Sequence, residues 1–188
     1  MVRLRLDDRH DLGQEFFRWE FATAVAGAVL GINPFDQPNV AESKANTKAV
    51  LGKGSAPSPA ASAEELQRFL AGIKPGDYLA IMAYLPPTPE NDRRLGAIRL
   101  RLRDRLKVAT TLGYGPRFLH STGQLHKGGP PVGHFLQITE PLKEDLPIPG
   151  QPFTFGRLEA AQAEGDLVAL RARGRPAIRI EDPGLLER

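Results

Sequence analysis

Two stretches of this 188-residue sequence gather side chains able to bind or move charge. The first, "GINPFDQPNVAESK" at residues 31–44, sets Gln37 and Lys44 seven positions apart behind an almost wholly apolar run. An amide at a helix entrance and a mobile ammonium about two turns later can line one cleft. The same residues also read as a plain connection, because Asn33, Asp36, Gln37 and Asn39 are the types that hydrogen-bond tight turns and Lys44 is then an ordinary polar residue. The second stretch, "RFLHSTGQLHKGG" at residues 117–129, follows a strand-like start with Ser121, Thr122 and Gly123, and crowds Arg117, His120, His126 and Lys127 around them. Backbone N–H groups at a helix start, flanked by hydroxyls and cations, suit a phosphate. The plainer account makes Ser121 an N-cap, the glycines a turn and the histidines structural.

A third cluster, the arginine-rich run at residues 93–107, could track a phosphate backbone but has no aromatic residue on which a base would stack. With a net charge of only +3 it reads as a solvated or interface face, and we expect no nucleic acid as partner. The absence of cysteine removes disulfides and thiolate metal sites, and four scattered histidines offer no zinc ligand set, so no metal is expected. The opening "MVRLRLDD" lacks the apolar core of a signal peptide. The longest apolar run, residues 21–30, is about half a bilayer crossing. A cytoplasmic protein with no membrane contact is the expectation.

The elements that must position these residues follow from periodicity. "VRLRL" at residues 2–6 alternates as a strand with one wet face. Phe17, Phe21, Val25 and Val29 recur every four within residues 14–30, and alanines fill the rest, which predicts a helix buried on most sides. Asn33-Pro34 ends it, and a second helix starts at Pro38 and runs to Gly52. "KGSAPSPAAS", residues 53–62, has the composition of a flexible linker. Helices and strands then alternate: a capped helix from Ser62, a buried strand at 77–85, an amphipathic helix at 92–107, strands at "GHFLQIT" and "PAIRIED", and a long helix ended by Gly174. "KVATTLGYG" with "RFLHS" reads either as one interrupted strand or as a strand and a loop. This pattern predicts an α/β fold over residues 63–188, a largely parallel sheet flanked by helices. A strand and two helices in residues 1–52 precede it, and ligands belong at the strand C-terminal ends.

The run from residue 13 through Lys44, together with "GYGPRFLHSTGQLHKGGPP", resembles the glucose-6-phosphate isomerase family, and most closely the end of bacterial transaldolase/glucose-6-phosphate isomerase fusions. The resemblance implies a sugar-isomerase (SIS)-like fold, a hexose phosphate as ligand, no cofactor, and aldose–ketose isomerisation through an enediol. It implies that Lys44 assists ring opening, that Gln37 helps hold the substrate, and that "HSTGQ" is a second sugar-phosphate loop. The family's Gly-Val-Glu after the glutamine reads Asn39-Val40-Ala41 here, with Glu42 adjacent. Its proton-shuttling glutamate and ring-opening histidine belong to segments before the apolar helix. The chain is therefore expected to be a C-terminal piece or a stand-alone relative, partnered by the remainder of the isomerase or by a second copy. A catalytically silent sugar-phosphate-binding or assembly module is the other reading, and it places the apolar helix at a docking surface.

Overall fold

The computed structural model describes residues 4–36, 38–53, 57–120, 122–140 and 144–187. Contacts divide the chain into two compact units after Gln37, rather than after Gly52, so the second helix packs with the later unit.

The first unit is a helix with a folded-back tail. Helix α1 (Asp11–Leu30) is opened by Asp8 and Asp11, whose carboxylates accept hydrogen bonds from the amides around residues 7–11. It closes at Gly31, with the amide of Ile32 donating back to the Gly27 carbonyl at 3.0 Å, a six-to-one C-cap. Asn33 then accepts from the amide of Phe35, so the asparagine shapes the turn as its type requires. Two expectations fail here. Leu4–Leu6 are irregular, and the rest of the expected strand lies outside the described residues. Helix α1, expected to be buried, buries only Gly27, while Phe17 is 70% and Val29 81% exposed. Apolar character makes burial favourable, but one helix and a turn contain no second layer to bury it against.

The second unit is α/β. It comprises α2 (Pro38–Lys53), α3 (Ala63–Ala71), β1 (Tyr78–Tyr84), α4 (Pro89–Leu106), β2 (Ala109–Tyr114), a 3₁₀ turn (Arg117–His120), α5 (Thr122–Gly128), β3 (Gly133–Thr139), α6 (Phe155–Ala172), β4 (Ala177–Ile180) and a closing 3₁₀ turn (Pro183–Leu186). The four strands are all parallel in the order β2-β1-β3-β4, with Tyr78 in register with both Ala109 and Gly133. The parallel sheet between helices is the expected fold class. The ambiguous stretch resolves into β2, a 3₁₀ turn and α5.

Local chemistry explains the boundaries. Ser62 and Glu65 form a reciprocal capping box on α3. Thr88 caps α4 with Pro89 in its first turn, so α4 begins before the expected Asp92. One sheet face packs Leu79, Ile81, Leu136 and Ile138 against α3 and α4. The other packs Met82 and Phe135 against α6 and the turn that carries Phe118. Strands buried on both faces read as continuous apolar runs, which is why β1 was legible. The segment expected to be a free linker is tied down where it is described. Ser58 donates from its amide and hydroxyl to Glu164, and the Ala61 amide donates to the Arg179 carbonyl at 2.7 Å.

Candidate functional site

Lys44 sits on α2, and α2 is held at three places. At its start the Asn39 amide donates to Gln124 of α5 at 3.2 Å, and the Gln124 side chain donates back to Asn39 at 2.6 Å. One turn on, Arg173 at the end of α6 grips Glu42 with two nitrogens. That hydrogen bonding holds the Glu42 carboxyl below its ordinary range. In mid-helix, Thr47 lies against Gly165, where a Cβ would stand 3.1 Å from the Thr47 backbone nitrogen; the bare glycine lets the two helices approach this closely without displacing either backbone. Residues 39, 42, 46 and 47 thus face the α/β unit, while Ala41, Lys44, Ala45 and Lys48 are exposed. Lys44 has no ion pair among the described residues. Gln37, its expected companion, lies outside the described residues. Asn39, read from the sequence as a turn former and a departure from the family pattern, and Glu42, read as the glutamate beside that departure, are what seat the lysine's helix.

The 117–127 stretch divides into outward and inward groups. Arg117 is exposed on the turn after β2, Thr122 is half-buried and Gly123 is buried. Ser121 and the side chain of His120 lie outside the described residues. His126 faces inward, packed on Phe135 (centroids 4.9 Å apart), Tyr78 and Phe118. Burial, helped by the adjacent Lys127 charge, pushes its pKa down to about 4, so it is a neutral ring at physiological pH. Lys127 is also buried and forms an ion pair with Asp166 of α6, both side chains being about 1% exposed. Burial lifts the Asp166 carboxyl against the pull of that ammonium. A buried pair of this kind fastens α5 to α6 and is costly to break. The structure therefore does not bring Lys44, Arg117, His126 and Lys127 to one surface. The signal for Asp166 was a carboxylate within the apolar run "GDLVAL".

A cleft of about 870 Å³ opens elsewhere, at the carboxyl ends of β1, β3 and β4 and the start of α6. Connections leave β1 and β3 in opposite directions along the sheet, so this is the topological switch point at which open α/β sheets bind ligands. Its floor holds Arg179, which donates to Gln137 at 2.7 Å and to the Ser58 carbonyl at 3.2 Å and pairs with Glu164 at 2.9 Å. Burial opposes ionisation of Glu164, but the Ser58 hydrogen bonds and the Arg179 charge hold its pKa below the ordinary value. At the rim Thr154 caps α6, while Asp145 accepts from the Thr154 hydroxyl at 2.5 Å and from the Gly156 amide at 2.8 Å. Sequence reasoning pointed to strand C-terminal ends but named none of these residues. An arginine in the apolar "PAIRI" strand was the available clue. Among the described residues no group of carboxylates and histidines is arranged to hold a metal ion, and no helix is long and apolar enough to cross a membrane.

Comparison with known proteins gives a local answer. No family model matches the chain. Part of it is similar to glucose-6-phosphate isomerases. The enzyme of Leptospira biflexa is 52% identical over 42 residues, 22% of this chain and 9% of that protein. The enzyme of Heliobacterium modesticaldum is 52% identical over 44 residues, 23% of this chain and 10% of that protein. That of Clostridioides difficile is 40% identical over 63 residues, 34% and 13% respectively. The match thus spans only about a tenth of these curated relatives. A hypothetical protein from Thermus thermophilus superposes with a TM-score of 0.50 at 17% identity, over 65% of this chain and 33% of that one, a likeness of fold alone.

Proposed function

We propose that this chain supplies the C-terminal part of a glucose-6-phosphate isomerase, one of the transaldolase-fused kind, and that Lys44 assists sugar ring opening while Gln37 helps hold the substrate. The observation that carries this reading is a solvent-facing Lys44 on a helix fastened by Asn39, Glu42 and Gly165, in a chain locally about half identical to such isomerases. A lysine suits the task because its ammonium is a compact charge on a flexible stem. Arg117 and Thr122 are the members of the second stretch that would meet a sugar phosphate from outside. His126 and Lys127 would support them from the interior, by packing and by the Asp166 pair.

The proton-shuttling carboxylate is supplied by the rest of the enzyme in this proposal. Loss of a positioned base costs roughly 10² to 10⁴ in rate, so the isolated chain should form little fructose 6-phosphate. In the complete enzyme, Lys44→Ala should lower kcat by a similar factor with the fold retained. Robust turnover by the isolated chain, abolished by Lys44→Ala, would sink the fragment reading. The exposed apolar surface of α1 favours a second reading, a silent sugar-phosphate-binding or assembly module docked on the rest of the enzyme or on a second copy. Under that reading Lys44→Ala in the complete enzyme leaves kcat unchanged.

A further inference from the structure

The sheet has two edges, and the chain covers one of them. Along β4 the segment before α3 lies against the strand: the Ala61 amide donates to the Arg179 carbonyl, and the Ser58 carbonyl accepts from the Arg179 side chain. At the other edge β2 has no neighbour beyond it among the described residues. Its register with β1 runs unbroken from Ala109 opposite Tyr78 to Tyr114 opposite Ala83. Edge strands are commonly blunted by a bulge, a proline or a charge, and Ala109–Tyr114 contains none of these. The Gly115 amide donates inward, to the Ala83 carbonyl at 2.8 Å. Backbone groups alternate along a strand, so Thr111 and Gly113 also bond β1, while the amides and carbonyls of Thr110, Leu112 and Tyr114 point outward. These outward groups have no hydrogen-bond partner among the described residues.

Charge decides what could add to this edge. Helix α4 lies over β2, where Asp92 accepts from the Tyr114 hydroxyl at 2.7 Å. Arg99 and Arg103 follow Asp92 by seven and eleven positions and so share its flank of the helix. The opposite flank is taken up by Arg94 with Glu187, Arg101 with the Leu186 carbonyl and Arg105 with Gln67. Arg103 is paired with Asp104. Arg99, Lys107 at the entry to β2 and the exposed Arg117 just past its end have no ion pair among the described residues. With the Arg103–Asp104 pair set aside, these three cations border the edge against the carboxylate of Asp92. A second copy pairing edge to edge would set the cations against their own kind, whereas carboxylates would be drawn to them.

We propose that β2 accepts an extended acidic segment of a partner protein as a further strand of the sheet. The segment's backbone bonds Thr110, Leu112 and Tyr114, and its carboxylates, at alternate positions on the α4 side, meet Arg99 and Lys107. The proposal needs no part of the isomerase reading. Its test uses the full chain and two blocked hexapeptides, Val-Glu-Thr-Glu-Val-Glu and Val-Lys-Thr-Lys-Val-Lys, with amide hydrogen exchange followed residue by residue by NMR. In the free chain the amides of Thr110, Leu112 and Tyr114 should exchange faster than those of Thr111 and Gly113. The acidic peptide should slow the first three about tenfold, and the basic peptide should leave them unchanged. The acidic peptide N-methylated at every residue keeps its charges but has no N–H to donate, and it should give no protection. Arg99→Gln combined with Lys107→Asn should weaken the acidic peptide about fivefold, as two exposed ion pairs allow. The proposal is overturned if the acidic peptide protects none of the three amides, or if the basic or the methylated peptide protects them equally well. It is also overturned if they are already protected in the free chain, where sedimentation as a dimer would make a second copy the occupant.

Discussion

Helices α1 and α6 are of similar length, 20 and 18 residues, and both are rich in small residues, yet they have opposite fates. The more apolar, α1, leaves Phe16, Phe17, Trp19 and Phe21 largely exposed, with the rings of Phe17 and Phe21 stacked 6.1 Å apart. The more polar, α6, buries nine residues, among them Glu164 and Asp166. Its charges are tolerated because each has a partner on another element: Ser58 and Arg179 for Glu164, Lys127 for Asp166. Burial is thus settled by the surfaces that a helix meets, and hydrophobicity only sets how much is gained when it meets one.

Breaking a partner of α6 should give the largest effect. Lys127→Met strands Asp166 in the interior and should cost about 3–5 kcal/mol in urea unfolding. Lys127→Met combined with Asp166→Leu should recover most of that loss, because no uncompensated charge remains. Acid comes next. His126 has its pKa lowered in the folded state from an ordinary 6.5 to about 4, so its neutral form favours folding above pH 6.5. That contribution is lost as the pH falls from 6.5 toward 4, by about 3 kcal/mol in total. The groups acting on it are the Lys127 charge on its own helix and the aromatic rings of Tyr78, Phe118 and Phe135. His126→Leu should flatten this part of the stability-versus-pH curve.

Smaller effects sharpen the same contrast. Gly165→Ala pushes a methyl group against the α2 backbone and should cost about 1–3 kcal/mol, with amide exchange quickening in α2 as well as α6. On α1, Phe17→Ser should change the stability of the isolated chain by less than about 0.5 kcal/mol while lowering self-association at high concentration, since it removes exposed apolar surface. A loss well above about 1 kcal/mol would mean that α1 is covered in solution and would break the comparison.

What was legible in the sequence was what repeats locally. Continuous apolar runs marked β1 and β3, Ser62 with Glu65 marked α3, and the alternation of elements gave the parallel sheet. Partnership across the chain was not legible. Nothing local to Asn39 names Gln124, 85 residues away, and nothing local to Glu42 names Arg173, 131 away. For the same reason a phosphate loop and a buried ion-pair segment look alike as text: "HKGG" offers cations whose direction depends on Asp166, on another helix. The cleft was legible only as a place, the carboxyl edge of the sheet. Its chemistry depends on residues from α2, three strands and α6, which no single window contains.

Asp145 gives α6 a resident counter-ion. A helix start left open would sample whatever anion its surroundings hold in excess, and occupancy there would follow the buffer. Here the chain supplies the anion from within, so inorganic phosphate or sulfate should find little to bind at the start of α6.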